Sequence, residues 1–231
     1  MTKRDVVQQR RKQNRSKNSL TTILIIAAFV FVVVGMVILT QYKPVGQIAT
    51  ITRTTTAQKD GLSLGNPDAP VQVIEFADFQ CPACANYWSV LEPQIIKDYV
   101  ETGKARFTYS PFSFLGQGQA WDESIKAAEA AYCANDQQKF WEYRDMVFAN
   151  HNGENRGAYS KERLVAFAKQ LDLDMKAFNA CFNSGKYSQQ VINDNKFATE
   201  QGATYTPSFL INGKIVNAAE LVQAIETSLT N

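Results

Sequence analysis

The stretch VQVIEFADFQCPACANYW, residues 71–88, decides the fold. Its first seven residues, Val71 to Ala77, form a short apolar run rich in Val, Ile and Phe, the pattern of a buried strand, and the punctuated stretch Gly65 to Pro70 sets its start. From Cys84 onward apolar residues recur at helical spacing (Cys84, Tyr87, Trp88, Leu91, Ile95, Tyr99) until Gly103, which predicts a helix bent at Pro93. Ala105 to Tyr109 alternates as a second strand does, so strand, helix and strand follow within about 40 residues as a β-α-β unit. Cys81 and Cys84 fall at the first strand-to-helix junction.

Downstream, residues 117 to about 201 show no convincing strand. Stripes such as Ile125/Ala128/Tyr132, Phe140/Trp141/Val147/Phe148 and Leu164/Val165/Ala168/Leu171 fit amphipathic helices, divided into four or five pieces at Asn135-Asp136, Asn150 to Ser160 and Ser184-Gly185. The sheet resumes at SFLI and KIVN, which flank the hairpin signal Asn212-Gly213, and a last helix turns Leu221, Val222, Ile225 and Leu229 inward. The order is β-α-β, a helical block, then β-β-α: an α/β fold of thioredoxin topology with an inserted helical subdomain. The 171 residues from Gly61 to Asn231 suffice for this one domain.

Upstream, residues 1–19 form a basic tail. Met1 to Leu20 carries seven Lys and Arg against Asp5, a charge of +6 that leaves −4 for the rest of a chain whose formal charge is +2. Leu20 to Thr40 is uncharged and apolar, and 21 residues at about 1.5 Å each match the ~30 Å hydrocarbon layer of a bilayer. The expectation is a single transmembrane anchor over 20–40, the basic flank in the cytoplasm and everything beyond it exported. A cleaved signal peptide is the rival reading, but its apolar core runs to only ~7–15 residues and no A-x-A site follows. A basic block beside a spanning helix is explained by topology, so no nucleic-acid partner is expected. Residues 41–60, polar and Thr-rich, read as a flexible linker ahead of the domain at 61–231.

Disulfide exchange needs two thiols that can bond each other, one of them nucleophilic near neutral pH, because the thiolate is the attacking species. Residues i and i+3 share a helix face, and Pro82 suits the first helical position because its missing N–H has no partner there. Cys81 then lies at the helix N-terminus, where unpaired N–H groups and the dipole favour its thiolate, and Cys84 is the less exposed resolving thiol. A zinc site would need about four ligands, and the chain has one His, His151, in a predicted solvated loop without a role. Neither metal nor cofactor is expected. Glu75, six residues before Cys81 in an apolar strand, reads either as an edge-facing charge or as a partly buried proton acceptor for Cys84.

Together, EFADFQCPACANYW, a helical block and TPSFLINGK resemble the DsbA-like branch of the thioredoxin superfamily, over about Gly65 to Asn231. The resemblance implies that Cys81 is the nucleophile, Cys84 the resolving thiol, Pro207 a cis proline facing them and Glu75 the acid behind them, with Thr206 and Pro82 contacting substrate. Ala83 stands where the best-known motif has His, which lessens the expected stabilisation of the thiolate. The even cysteine count also admits a Cys133–Cys181 bridge, the alternative being two separate buried thiols.

The function expected is a membrane-anchored disulfide oxidase for exported cysteine-containing proteins, reoxidised by a quinone-linked membrane protein of the DsbB-like or vitamin K epoxide reductase-like kind. A reductase or isomerase is the alternative within the enzymes. A non-catalytic binding module or metallochaperone is the alternative outside them.

Overall fold

The computed structural model describes residues 23–36 and 45–230. The two parts fall into separate units, divided between Pro44 and Val45. In the first, residues 23–36 form helix α1. Among the described residues no helix is long and apolar enough to cross a membrane. The predicted basic tail and the ends of the predicted span, 20–22 and 37–40, lie outside the described residues.

The second unit is a six-stranded sheet, β1 (Lys59–Asp60), β2 (Ser63–Leu64), β3 (Val71–Ala77), β4 (Ala105–Pro111), β5 (Ser208–Ile211) and β6 (Lys214–Val216), in spatial order β1-β2-β4-β3-β5-β6. β3 lies inside the sheet, parallel to β4 and antiparallel to β5, with Glu75 opposite Tyr109 on one side and Phe209 on the other. Alternation along β3 sends Val71, Val73, Glu75 and Ala77 to one face and Ile74 and Phe76 to the other. The first face meets the large core, and Phe76 packs with Ala198, Ala203 and Leu210 in a smaller one.

The predicted bent helix is instead interrupted: α2 (Pro82–Val90) stops at Leu91, α3 (Glu92–Ile95) begins there, and a π-helical stretch (Ile96–Val100) completes the segment. Pro93 explains the break, since it cannot donate to the carbonyl one turn back and its ring crowds that turn. The helical block is α4 (Glu123–Asn135), α5 (Phe140–Ala149), α6 (Lys161–Gln170), α7 (Met175–Ser184) and α8 (Ser188–Glu200), and α9 (Leu221–Thr230) closes the chain. Asp122, Ser160 and Asp174 cap α4, α6 and α7 by accepting first-turn N–H groups. Cys133 of α4 and Cys181 of α7, 48 positions apart in sequence, are joined in a disulfide with Cα atoms 5.8 Å apart. Closing a loop of that length contributes up to about 4 kcal/mol.

One segment differs from its sequence reading. Residues 45–57, inside the predicted linker 41–60, lie hydrogen-bonded along the domain. Asn150 pairs with both the N–H and the carbonyl of Ala49 (2.9 and 2.8 Å), Arg163 donates to the carbonyl of Val45 (2.6 Å), and Glu101 accepts from Thr55 and Thr56 (2.7 and 2.9 Å). β1 then begins at Lys59, still within the linker range.

Candidate active site

Cys81 is the N-cap of α2, with extended backbone and Pro82 behind it at the first helical position. The loop that delivers it is pinned by Asp78. The buried Asp78 carboxylate accepts from the backbone N–H of Gln80 (2.8 Å), Phe114 (2.9 Å) and Leu115 (3.0 Å) and from the Ser124 hydroxyl (2.7 Å), while its carbonyl accepts the Cys81 N–H at 3.0 Å. Gln80 is gripped by the helical block: its amide reaches Ser124 (2.8 Å), and His151 Nε2 sits 2.9 Å from its carbonyl. His151 is therefore not the solvated loop residue expected. It is half-buried against the residue that precedes Cys81.

Cys81 and Cys84 are both unbonded. Cys81 Sγ accepts the Cys84 N–H at 3.4 Å and, as a thiol, donates to the Thr206 carbonyl at 3.3 Å. The Thr206-Pro207 bond is cis, and β5 begins at the next residue, Ser208. Cys81, Cys84, Glu75, Thr206 and Pro207, from two separate stretches of sequence, thus meet at one place, and Pro82 is exposed on its rim.

The two thiols differ sharply. The Cys81 thiol is pushed down from 9.0 to about 6, first by its hydrogen bond with Cys84 and then by the Thr206 side chain and the N–H groups of Cys84 and Ala83, against the opposing effect of burial. Those backbone donors belong to the helix N-terminus and need no side chain at position 83. Cys84 is completely buried, and burial together with the hydrogen bond and charge of Cys81 drives its thiol well above 9.0.

Glu75 is 1% exposed on an interior strand, which excludes the edge-facing reading. Burial first, then the charge of Glu92, keeps its carboxyl well above 4.5, and Oε2 has no hydrogen-bond partner among the described residues. Behind it lies a buried charge cluster that the sequence reading missed. Arg144 of α5 is 1% exposed and hydrogen-bonds Glu92 and, at 3.2 Å, Asp145. Asp145 also accepts from the Trp88 indole at 2.7 Å. Arg144 had a legible signal: it stands four residues from both Phe140 and Phe148, on the apolar stripe itself.

A helix-borne C-x-x-C facing a cis-proline on an α/β sheet places fold and site in the thioredoxin class. A family model described as Thioredoxin matches residues 57–230. The chain is 30% identical over 157 residues to the probable disulfide bond formation protein D of Bacillus anthracis, spanning 67% of this chain and 71% of that protein. It is 26% identical over 166 residues to the disulfide bond formation protein D of Bacillus subtilis, covering 71% and 73% of the two chains. The crystal structure of oxidised BdbD from Bacillus subtilis superposes with a TM-score of 0.66 at 25% identity, covering 74% of this chain and 94% of that one. The chain belongs to the DsbA-like thiol-disulfide oxidoreductases of the thioredoxin superfamily.

Proposed function

We propose that the protein is a disulfide oxidase of exported proteins, held at the membrane by a span over residues 20–40, with Cys81 as nucleophile and Cys84 as resolving thiol. The observation that carries the reading is the placement of two thiols one helical turn apart: Cys81 caps the N-terminus of α2 with its Sγ on the Cys84 N–H, which helps lower it to about 6, while Cys84 is completely buried and raised. A low value makes Cys81 the better leaving group and stabilises the reduced pair, which makes the disulfide form the stronger oxidant.

In the forward step a substrate thiolate attacks Cys81 Sγ of the Cys81–Cys84 disulfide. The Cys81–Cys84 bond breaks, a substrate–Cys81 bond forms, and Cys84 leaves as a thiolate that takes the proton from Glu75. A second substrate thiolate then attacks the substrate sulfur and expels Cys81 as a thiolate. The substrate has lost two electrons and the pair has gained them. Thr206 and the Pro207 turn offer backbone to an extended substrate segment beside Cys81, and Pro82 lies on the same rim. Turnover needs an electron acceptor, for which a quinone-linked membrane protein of the DsbB-like or vitamin K epoxide reductase-like kind is the fitting class.

Cys84→Ala retains the attacking thiol and lacks the resolving one, so cells expressing it should accumulate mixed disulfides between exported proteins and Cys81. Cys81→Ala should accumulate few. Equal trapping by both variants, or by neither, refutes the assigned roles.

A further inference from the structure

The segment ahead of the sheet reaches the back of the redox helix through one side chain. Arg53 Nη2 donates to the Trp88 carbonyl at 2.5 Å, Nη1 donates to Glu92 Oε1 at 3.1 Å, and the guanidinium lies 4.1 Å from the Trp88 ring centroid. Trp88 is in the last turn of α2, where carbonyls have lost their helical donors and a cation is favoured. Glu92 is 3% exposed and already paired with Arg144, so the two arginines face the two carboxylates of Glu92 and Asp145. Arg53 lies outside residues 57–230, the part matched by the family model.

We infer that Arg53 is a positioning residue for the redox centre: it closes the C-terminal end of α2 and completes the charge balance of the buried cluster behind Cys81. The inference rests on the reading of Cys81 as the nucleophile. The titratable and charged groups around the centre are Arg53 itself, Asp78 in the loop before Cys81, Cys84 and Tyr87 on α2, Glu75 on β3, Tyr109 on β4, Glu92 on α3, Arg144 and Asp145 on α5, and Tyr159 and His151 against the carbonyls of Phe79 and Gln80. Without Arg53 this set carries one positive charge fewer, and the surplus carboxylate charge opposes a thiolate at the other end of the helix. Seven residues at ~1.5 Å rise separate Trp88 from Cys81 by about 10 Å along the axis. At that distance a unit charge changes the thiolate equilibrium about twofold with water-like screening and about fifteenfold at an effective dielectric constant of ~20.

The segment 45–57 is therefore part of the catalytic domain's electrostatics as well as its link to what precedes it. A chain cut at the start of the family match lacks this cation.

The test uses the full-length protein in detergent, with the Cys81 thiolate followed by its ultraviolet absorbance across pH and the pair equilibrated with glutathione. Arg53→Gln should raise the Cys81 midpoint by about 0.3 to 1.2 pH units and lower the equilibrium constant for substrate oxidation at neutral pH about twofold to sevenfold. Arg53→Lys, which keeps the charge, should recover most of the shift. Lys59→Gln removes one charge from a partly exposed pair with Glu142 and should move neither quantity. An Arg53→Gln midpoint equal to wild type, even with a lower melting temperature, overturns the inference, as does an Arg53→Lys variant indistinguishable from Arg53→Gln. A wild-type Cys81 without a depressed midpoint refutes the nucleophile reading itself, and the inference with it.

Discussion

Varying the pH while holding the protein constant reads the Cys81 thiolate directly through the redox potential. With Cys81 at about 6 and Cys84 well above 9.0, reduction takes up two electrons and two protons below pH 6 but only one proton between pH 6 and 9. The potential should therefore fall by ~59 mV per pH unit in acid and by ~30 mV per unit above the bend. At pH 7 the thiolate of Cys81 outnumbers its thiol about ten to one, so the reduced form gains about tenfold over a pair whose nucleophile titrates at 9.0, equivalent to ~30 mV. The same shift acts on stability. A folded-state value below the unfolded one stabilises the reduced fold fully above pH 9, and the effect is lost as pH falls through about 6. The melting temperature of the reduced protein relative to the oxidised one should accordingly rise from pH 5 to pH 8. The assay is equilibration with glutathione from pH 5 to 8.5, acid quenching and alkylation of free thiols. An unbroken ~59 mV slope to pH 8, with no change in the melting difference, refutes the reasoning.

Two further substitutions probe the interior behind the pair. Glu75→Gln removes the proton carrier while keeping the shape, and should slow the steps in which Cys84 gains or loses a proton by about a hundredfold or more, as stopped-flow reoxidation would show; an unchanged rate excludes the role. Arg144→Met leaves Glu92 and Asp145 buried without their shared cation and should cost about 3–5 kcal/mol in urea unfolding, most of it restored by adding Glu92→Leu. A cost under about 1 kcal/mol would show the cluster to be solvated.

The sequence carries the parts of the fold that depend on local chemistry. Pro82 and the 3.6-residue stripe announce α2, and Asn212-Gly213, both at positive φ, announces the β5–β6 hairpin. The convergence of Cys81 with Thr206 and Pro207 was implied by the family resemblance that EFADFQCPACANYW and TPSFLINGK carry. Strands of two residues, β1 and β2, are too short to show alternation, so the sheet edge was not legible. Nor was the docking of residues 45–57: Ala49 meets Asn150 across 101 positions, and polar side chains that bind backbone leave no periodic trace. His151 was misplaced for the same reason, its partner being a main-chain carbonyl 71 positions away.

The placement of Glu75 bears on the direction of electron flow. In the mixed disulfide, attack by Cys84 on Cys81 would return the substrate reduced and undo the first step. That attack needs a Cys84 thiolate, and burial, which still acts when Cys81 is bonded to substrate, raises the Cys84 thiol well above 9.0. Burial and the charge of Glu92 raise the Glu75 carboxyl, which favours its giving a proton to the departing Cys84, and the carboxylate left behind is the base for the return attack until it takes up a proton again. Once Glu75 is protonated again the return path slows, and a second substrate thiolate can displace Cys81, whose low value makes it the better leaving group. Reoxidation of the pair meets the opposite demand, since Cys84 must then lose its proton. A partner that supplies a base, or that lets water reach Glu75 when it docks, would remove this barrier at the one step where it hinders turnover. Reoxidation by small disulfides alone should consequently be slow and accelerate with pH above neutrality, whereas oxidation of substrate thiols should not share that rise beyond the ionisation of the substrate itself.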